Sequence, residues 1–128
     1  MDSINHETFK NDLKVYKEKV NKQDKYCNFI IKLVANYFNI EESALTKSSK
    51  ENSFKRRVAK YLCYIEGISP LIIRKNFNII GIPVAWEYDS LRYMQEHKIK
   101  EDEKFRQEVC KIKEILKKSK EKSNGEFW

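Results

Sequence analysis

The chain has 128 residues, of which 41% are hydrophobic and 35% charged, enough apolar content for one modest core and too much for a disordered segment. With only 3 Gly and 2 Pro it has few turn-formers, so the expected fold class is all-α. A formal net charge of +7 favours a polyanionic partner, while the lack of any long apolar run or apolar leader argues against a membrane span or a secretion signal and for a cytoplasmic protein.

From about Asn5 to Asn21, Phe9, Leu13, Tyr16 and Val20 recur at helical spacing with Lys and Glu between them, which predicts an N-terminal amphipathic helix over residues 1–23. Its stripe has two readings: packing on the domain's own core, or a surface for a homodimer or protein partner. Asn21 to Asp24 interrupts the pattern, and Asp24 is a candidate cap for the next helix. Tyr26 to Phe38 carries Phe29, Ile30, Leu33, Val34, Tyr37 and Phe38 and reads as a central core helix. Glu41 to Leu45 supplies one short turn, and Thr46 to Asn52 is small, polar and basic, an exposed loop.

Ser53 is a candidate N-cap for a helix reaching about Glu66, with Val58, Tyr61, Leu62 and Ile65 on its apolar face and Gly67 as a left-handed C-cap. Ser69 and Pro70 then form a strong helix start, Leu71, Ile72 and Ile73 supply an apolar face, and Phe77 closes the helix. Asn78 and Gly81 mark a turn, and Pro83 can open a second helix with Val84, Tyr88, Leu91 and Gln95 on one side. Together these make a helix-turn-helix candidate. Trp86 and Tyr88 suit either core packing or an exposed aromatic platform. His97 to Lys100 reads as a connection, and Glu101, Asp102 and Glu103 as the start of a final helix with Phe105, Val109, Ile112, Ile115 and Leu116 in its stripe. The expected organisation is therefore an N-terminal helix over residues 1–23, a helical domain over 24–118, and a frayed polar tail over 119–128.

Charge is concentrated between Lys47 and Lys75, where eight cations face only Glu51 and Glu66. Lys55, Arg56 and Arg57 lie in the first turn of their helix, the unfavourable end for cations, which suggests phosphate contact. The lysines from Lys111 to Lys122 are nearly balanced by acids from Glu101 onward and read as a solvated face. Cys27, Cys63 and Cys110 sit in apolar helical patterns without zinc spacing and are expected to act as small hydrophobes in a reducing compartment. His6 and His97 are isolated, and no nucleophile motif or glycine-rich phosphate loop occurs. The Glu101-Asp102-Glu103 run is explained by its helix start. No enzyme activity, metal or cofactor is expected.

The segment from Ile30 to about Leu116 resembles the C-terminal DNA-binding domain of the bacterial replication initiator DnaA. The residues that carry the resemblance are Val34 to Ile40, the loop Leu45 to Lys50, the run Arg57-Val58-Ala59-Lys60-Tyr61-Leu62-Cys63, and Ile68-Ser69 through Ile73 to Phe77. The resemblance implies a Trp-repressor-like helix-turn-helix on double-stranded DNA, in a cytoplasmic or nucleoid setting connected with DNA replication. The recognition motif departs from the family's pattern. Ile80, Gly81, Ile82, Pro83 and Val84 stand where the family has Arg, Asp, His, Thr and Thr, and none can donate a side-chain hydrogen bond to a base edge. Losing two or three such contacts, each worth about 1–3 kcal/mol, removes roughly a hundredfold or more of discrimination.

The leading expectation is thus a small standalone DNA-binding protein with altered or relaxed specificity. Its backbone grip would come from Lys47, Ser48, Lys50, Lys55, Arg56, Arg57, Lys60, Arg74 and Lys75, with Pro83 and Trp86 in the recognition region. The alternative is a protein-protein interaction module that uses the Ile79 to Trp86 surface.

Overall fold

The computed structural model describes residues 6–122, with side chains placed from Lys10 onward. Every regular element among them is helical, as expected: α1 (His6–Phe38), α2 (Glu42–Thr46), α3 (Ser53–Ile65), α4 (Pro70–Asn76), α5 (Val84–Tyr93), a π-helical turn (Met94–Lys98), α6 (Ile99–Glu101) and α7 (Glu103–Lys122). The second half of α1 is the axis of the core. Cys27, Ile30, Ile31 and Val34 are fully buried along it, and α2, α3, α4 and α7 pack around it. Phe77, Leu91 and Phe105 fill the end nearer the helix-turn-helix.

The expected break at Asn21 to Asp24 does not exist, and the expected boundary after residue 23 falls inside α1, a 33-residue helix. No Gly or Pro stands there to stop a helix, and the polar residues that suggested a break serve tertiary contacts instead. Gln23 Oε1 accepts the Ser69 N–H at 2.9 Å, and Asp24 Oδ1 accepts Asn76 Nδ2 at 2.9 Å, so these two side chains dock α4. N-terminal to this seam the helix projects beyond the core, with Tyr16 and Lys19 still bordering a cleft beside Leu71, Ile72 and Lys75 of α4. Residues 10–19 are all exposed, including Leu13, Val15 and Tyr16, and Val20 is the first to pack on the core. The stripe of the expected N-terminal helix is therefore mostly unpartnered, and the Phe9 side chain lies outside the described residues.

Three helices end in the same way. After α1, α3 and α4 the chain passes through a left-handed residue, Asn39 (φ 57°), Gly67 (φ 88°) and Asn78 (φ 54°). Each is followed by an isoleucine whose N–H reaches back to the carbonyl five residues earlier: Ile40 to Ala35 at 2.9 Å, Ile68 to Cys63 at 3.1 Å, and Ile79 to Arg74 at 3.0 Å. This is the Schellman closure, in which the apolar residue after the turn folds back on the helix it ends. At the other end of α4, Ser69 caps as expected, its Oγ accepting the Leu71 N–H at 3.3 Å. Ser53, by contrast, is the first residue of α3 and not its cap; Asn52 holds that position and makes no side-chain cap bond.

Other expectations are corrected. His97 to Lys100 is no connection, because the π-helical turn and α6 carry the chain on from α5 as one rod up to Asp102. The wide turn carries the buried face from Met94 to the half-buried Ile99. Of the expected inward face of α5, Leu91 is buried and Val84 half-buried, but Tyr88 and Gln95 are exposed and Glu87 and Met94 are buried in their place; Trp86, like Tyr88, is exposed and not core. Pro83 sits at the N-cap position, one residue before the first residue of α5. Leu71 and Ile115 are exposed, and Cys110 lies on the surface. Helix α7 continues past residue 119 to Lys122; the rest of the expected tail, residues 123–128, lies outside the described residues.

Two carboxylates fasten α7, one near each of its ends. Tyr26 O–H and Lys120 Nζ both donate to Glu66 Oε1, the lysine at 2.6 Å, tying α1 and α7 to the end of α3. Burial alone would raise the Glu66 pKa, but the bonds from Lys120 and Tyr26 outweigh it and hold it below the ordinary glutamate value. Asp102 caps α7, its Oδ1 accepting the Phe105 N–H at 3.0 Å while Lys98 lies 3.0 Å from Oδ2, and its pKa is lowered for those reasons in that order. Carboxylates with depressed folded pKa values stabilise the fold above their unfolded pKa and lose that contribution as pH falls through the folded one. Thermal midpoints should therefore be flat above about pH 5 and fall steadily below about pH 4.5, with Glu66→Gln flattening part of the decline. Differential scanning calorimetry across pH 3 to 7 checks this; an unchanged slope in the variant would remove Glu66 from the account.

Candidate nucleic-acid interface

The basic loop after α2 and the turn after α4 are far apart in sequence, and two side chains join them. Arg56, in the first turn of α3, points inward: Nη1 donates to the Leu45 carbonyl at 3.1 Å, Nη2 to the Phe77 carbonyl at 2.8 Å, and the guanidinium lies over the Phe77 ring. Desolvation lowers its pKa. Asn78, already reversed by its positive φ, donates Nδ2 to the Thr46 carbonyl at 3.1 Å. The end of α2, the start of α3 and the helix-turn-helix turn are thus held as one edge.

The expected site residues divide on this edge. Lys47, Ser48 and Lys50 are exposed on the loop. Lys55 is half-buried, its ammonium 5.6 Å from the centre of the Phe38 ring, and Arg57 is exposed with Nε donating to the Ser53 carbonyl at 3.3 Å. Pro83 and Trp86 are exposed on the far side of the turn.

Four expected phosphate ligands are placed otherwise. Arg56 belongs to the frame described above. Lys60 reaches the buried Glu87 of α5, with Nζ 3.0 Å from Oε1. The approach is out of line for a hydrogen bond, so the contact is one of charge. Arg74 is half-buried, with Nε donating to the Ile79 carbonyl at 3.4 Å. Lys75 is exposed but turns toward α1, 3.5 Å from Asp24 Oδ1. Only the carboxylate of Glu87 could have announced the Lys60 pairing, and its partner lies 27 positions away in sequence.

The N-terminal end of α3 adds to the positive field of the edge. No acidic residue stands in its first turn, and Lys50, Lys55 and Arg57 outnumber the one carboxylate beside the helix start, the exposed Glu51. Glu87, near the start of α5, is 4% exposed and neutralised by Lys60. Among the described residues no group of three or more His, Cys, Asp or Glu could hold a metal ion, and no helix is long and apolar enough to cross a membrane. Comparison with protein-family models, with curated proteins and with solved structures produced no match.

Proposed function

We propose that the chain binds double-stranded DNA through its phosphate backbone, using Lys47, Lys50, Lys55 and Arg57, with little reading of base edges. The observation that carries this is the stitching by Arg56 and Asn78, which fixes the basic loop, the start of α3 and the helix-turn-helix turn on one edge. Ser48 stands among the cations as a further phosphate donor, and the helix start adds its dipole. The resemblance to the DnaA DNA-binding domain supports the same placement of the duplex.

Four engaged phosphates predict that log K falls against log salt with a slope of about −3.5. A grip that also used Arg56 and Lys60 would give about −5. Fluorescence anisotropy on a random-sequence duplex between about 50 and 200 mM salt distinguishes them, and a slope flatter than about −1 rejects the grip altogether.

A second reading rests on Ile80, Ile82 and Trp86, which are exposed together. It makes this edge a protein-protein interaction surface. Light scattering on a concentrated sample and unchanged elution with added DNA would favour it.

A further inference from the structure

The turn between α4 and α5 is built to project an apolar side chain. Ile79 is buried and anchors it, while Ile80, the next residue, is 87% exposed. Positive-φ residues stand close on either side, Asn78 and Gly81 (φ 81°), so the chain reverses around the anchor and pushes Ile80 outward. Ile82 and Trp86 follow, 41% and 63% exposed. Single exposed hydrophobics are ordinary on a protein surface, but three within seven residues, at the tip of one turn, are not.

Charge identifies what covers this tip. It is fastened to the basic loop through Asn78 and Thr46, and the nearest acid on α5, Glu87, is folded inward against Lys60. Asp89 is exposed and lies 3.7 Å from Arg92. An apolar tip bordered by cations matches a polyanion that offers flat apolar faces, which is a nucleic acid with accessible bases. Ile80, Gly81, Ile82, Pro83 and Val84 hold no donor or acceptor in their side chains, so the tip cannot read base edges but can cover base faces. In an intact duplex those faces are stacked, and inserting a side chain requires opening a step; at a bulge or unpaired stretch the step is already open.

We propose that the Ile80 to Trp86 tip takes DNA whose base stacking is already broken, with Trp86 stacking on an exposed base and Ile80 wedged beside it. This rests on the phosphate grip proposed above and names its substrate.

The test uses the full chain with Trp128→Phe, leaving Trp86 as the one tryptophan of the two present. Its fluorescence and the anisotropy of labelled DNA are followed against an intact duplex and the same duplex carrying a two-base bulge. The expected result is a preference for the bulge of about five- to hundredfold, the range for one stacked base, accompanied by quenching of Trp86. Trp86→Ala and Ile80→Ser, both at exposed positions, should bring binding of the bulged duplex down to that of the intact one while the salt slope, which the cations set, stays the same. Circular dichroism confirms that each remains folded. Equal binding to both DNAs with unchanged Trp86 emission overturns the inference and leaves the grip standing. No binding to either DNA at low salt overturns the grip and this inference together, and turns the tip over to a protein partner.

Discussion

Lys60→Met should destabilise the domain by about 3 kcal/mol or more, the range seen when one partner of a buried ion pair is removed. Glu87 is 4% exposed, with Lys60 Nζ 3.0 Å away, so the variant leaves a carboxylate inside the protein without its cation. The field of Arg56, which also acts on Glu87, keeps the loss toward the low end of the range of about 3–5 kcal/mol. For a chain of this size that is a fall in thermal midpoint on the order of 10 °C. Adding Glu87→Leu to Lys60→Met should restore most of the stability, because two packed apolar groups replace a pair whose desolvation cost is nearly as large as its attraction. Denaturant titration of the single and double variants decides. If Lys60→Met alone is neutral, Lys60 is a surface cation after all, and the salt slope of DNA binding should then be the steeper one.

Arg56→Ala should cost about 2–3 kcal/mol. Two carbonyls, those of Leu45 and Phe77, lose charge-assisted donors at 3.1 and 2.8 Å, and the Phe77 ring loses the cation above it. The conservative Arg56→Lys should rescue little, since a single ammonium cannot serve two carbonyls that the guanidinium fork spans. DNA affinity should fall in both variants because the basic loop is no longer held against the turn, yet the salt slope should stay near its original value. A phosphate ligand would behave differently: lysine would largely restore affinity, and alanine would flatten the slope by about 1. Anisotropy and thermal unfolding on the same three proteins separate the two roles.

Two helix ends were legible in the sequence. Gly67 as a left-handed C-cap and Asn78 as the start of a turn follow from their tolerance of positive φ, whereas the same closure at Asn39-Ile40 carried no signal that was read. Ser69-Pro70 was equally plain, because its cap needs nothing beyond the next two residues. What periodicity and composition missed depends on partners remote in sequence. Gln23 and Asp24 looked like a break until α4 was there to receive them, and Arg56 and Lys60 looked like free cations until Leu45, Phe77 and Glu87 were brought beside them. The face of α5 was misread for a related reason. A charged residue, Glu87, occupies the inward position, and an exposed tryptophan stands one residue before it.

The outboard half of α1 cannot sustain itself. A segment of that length is marginal as an isolated helix in water, and residues 10–19 are all exposed, so its helicity is extended outward from the core. The last packed turns before the overhang carry Gln23 and Asp24, the same residues that hold the start and the end of α4. The overhang and the helix-turn-helix thus share one seam. A change that loosens Gln23 or Asp24 is thereby felt at α4 and at the base of the overhang alike.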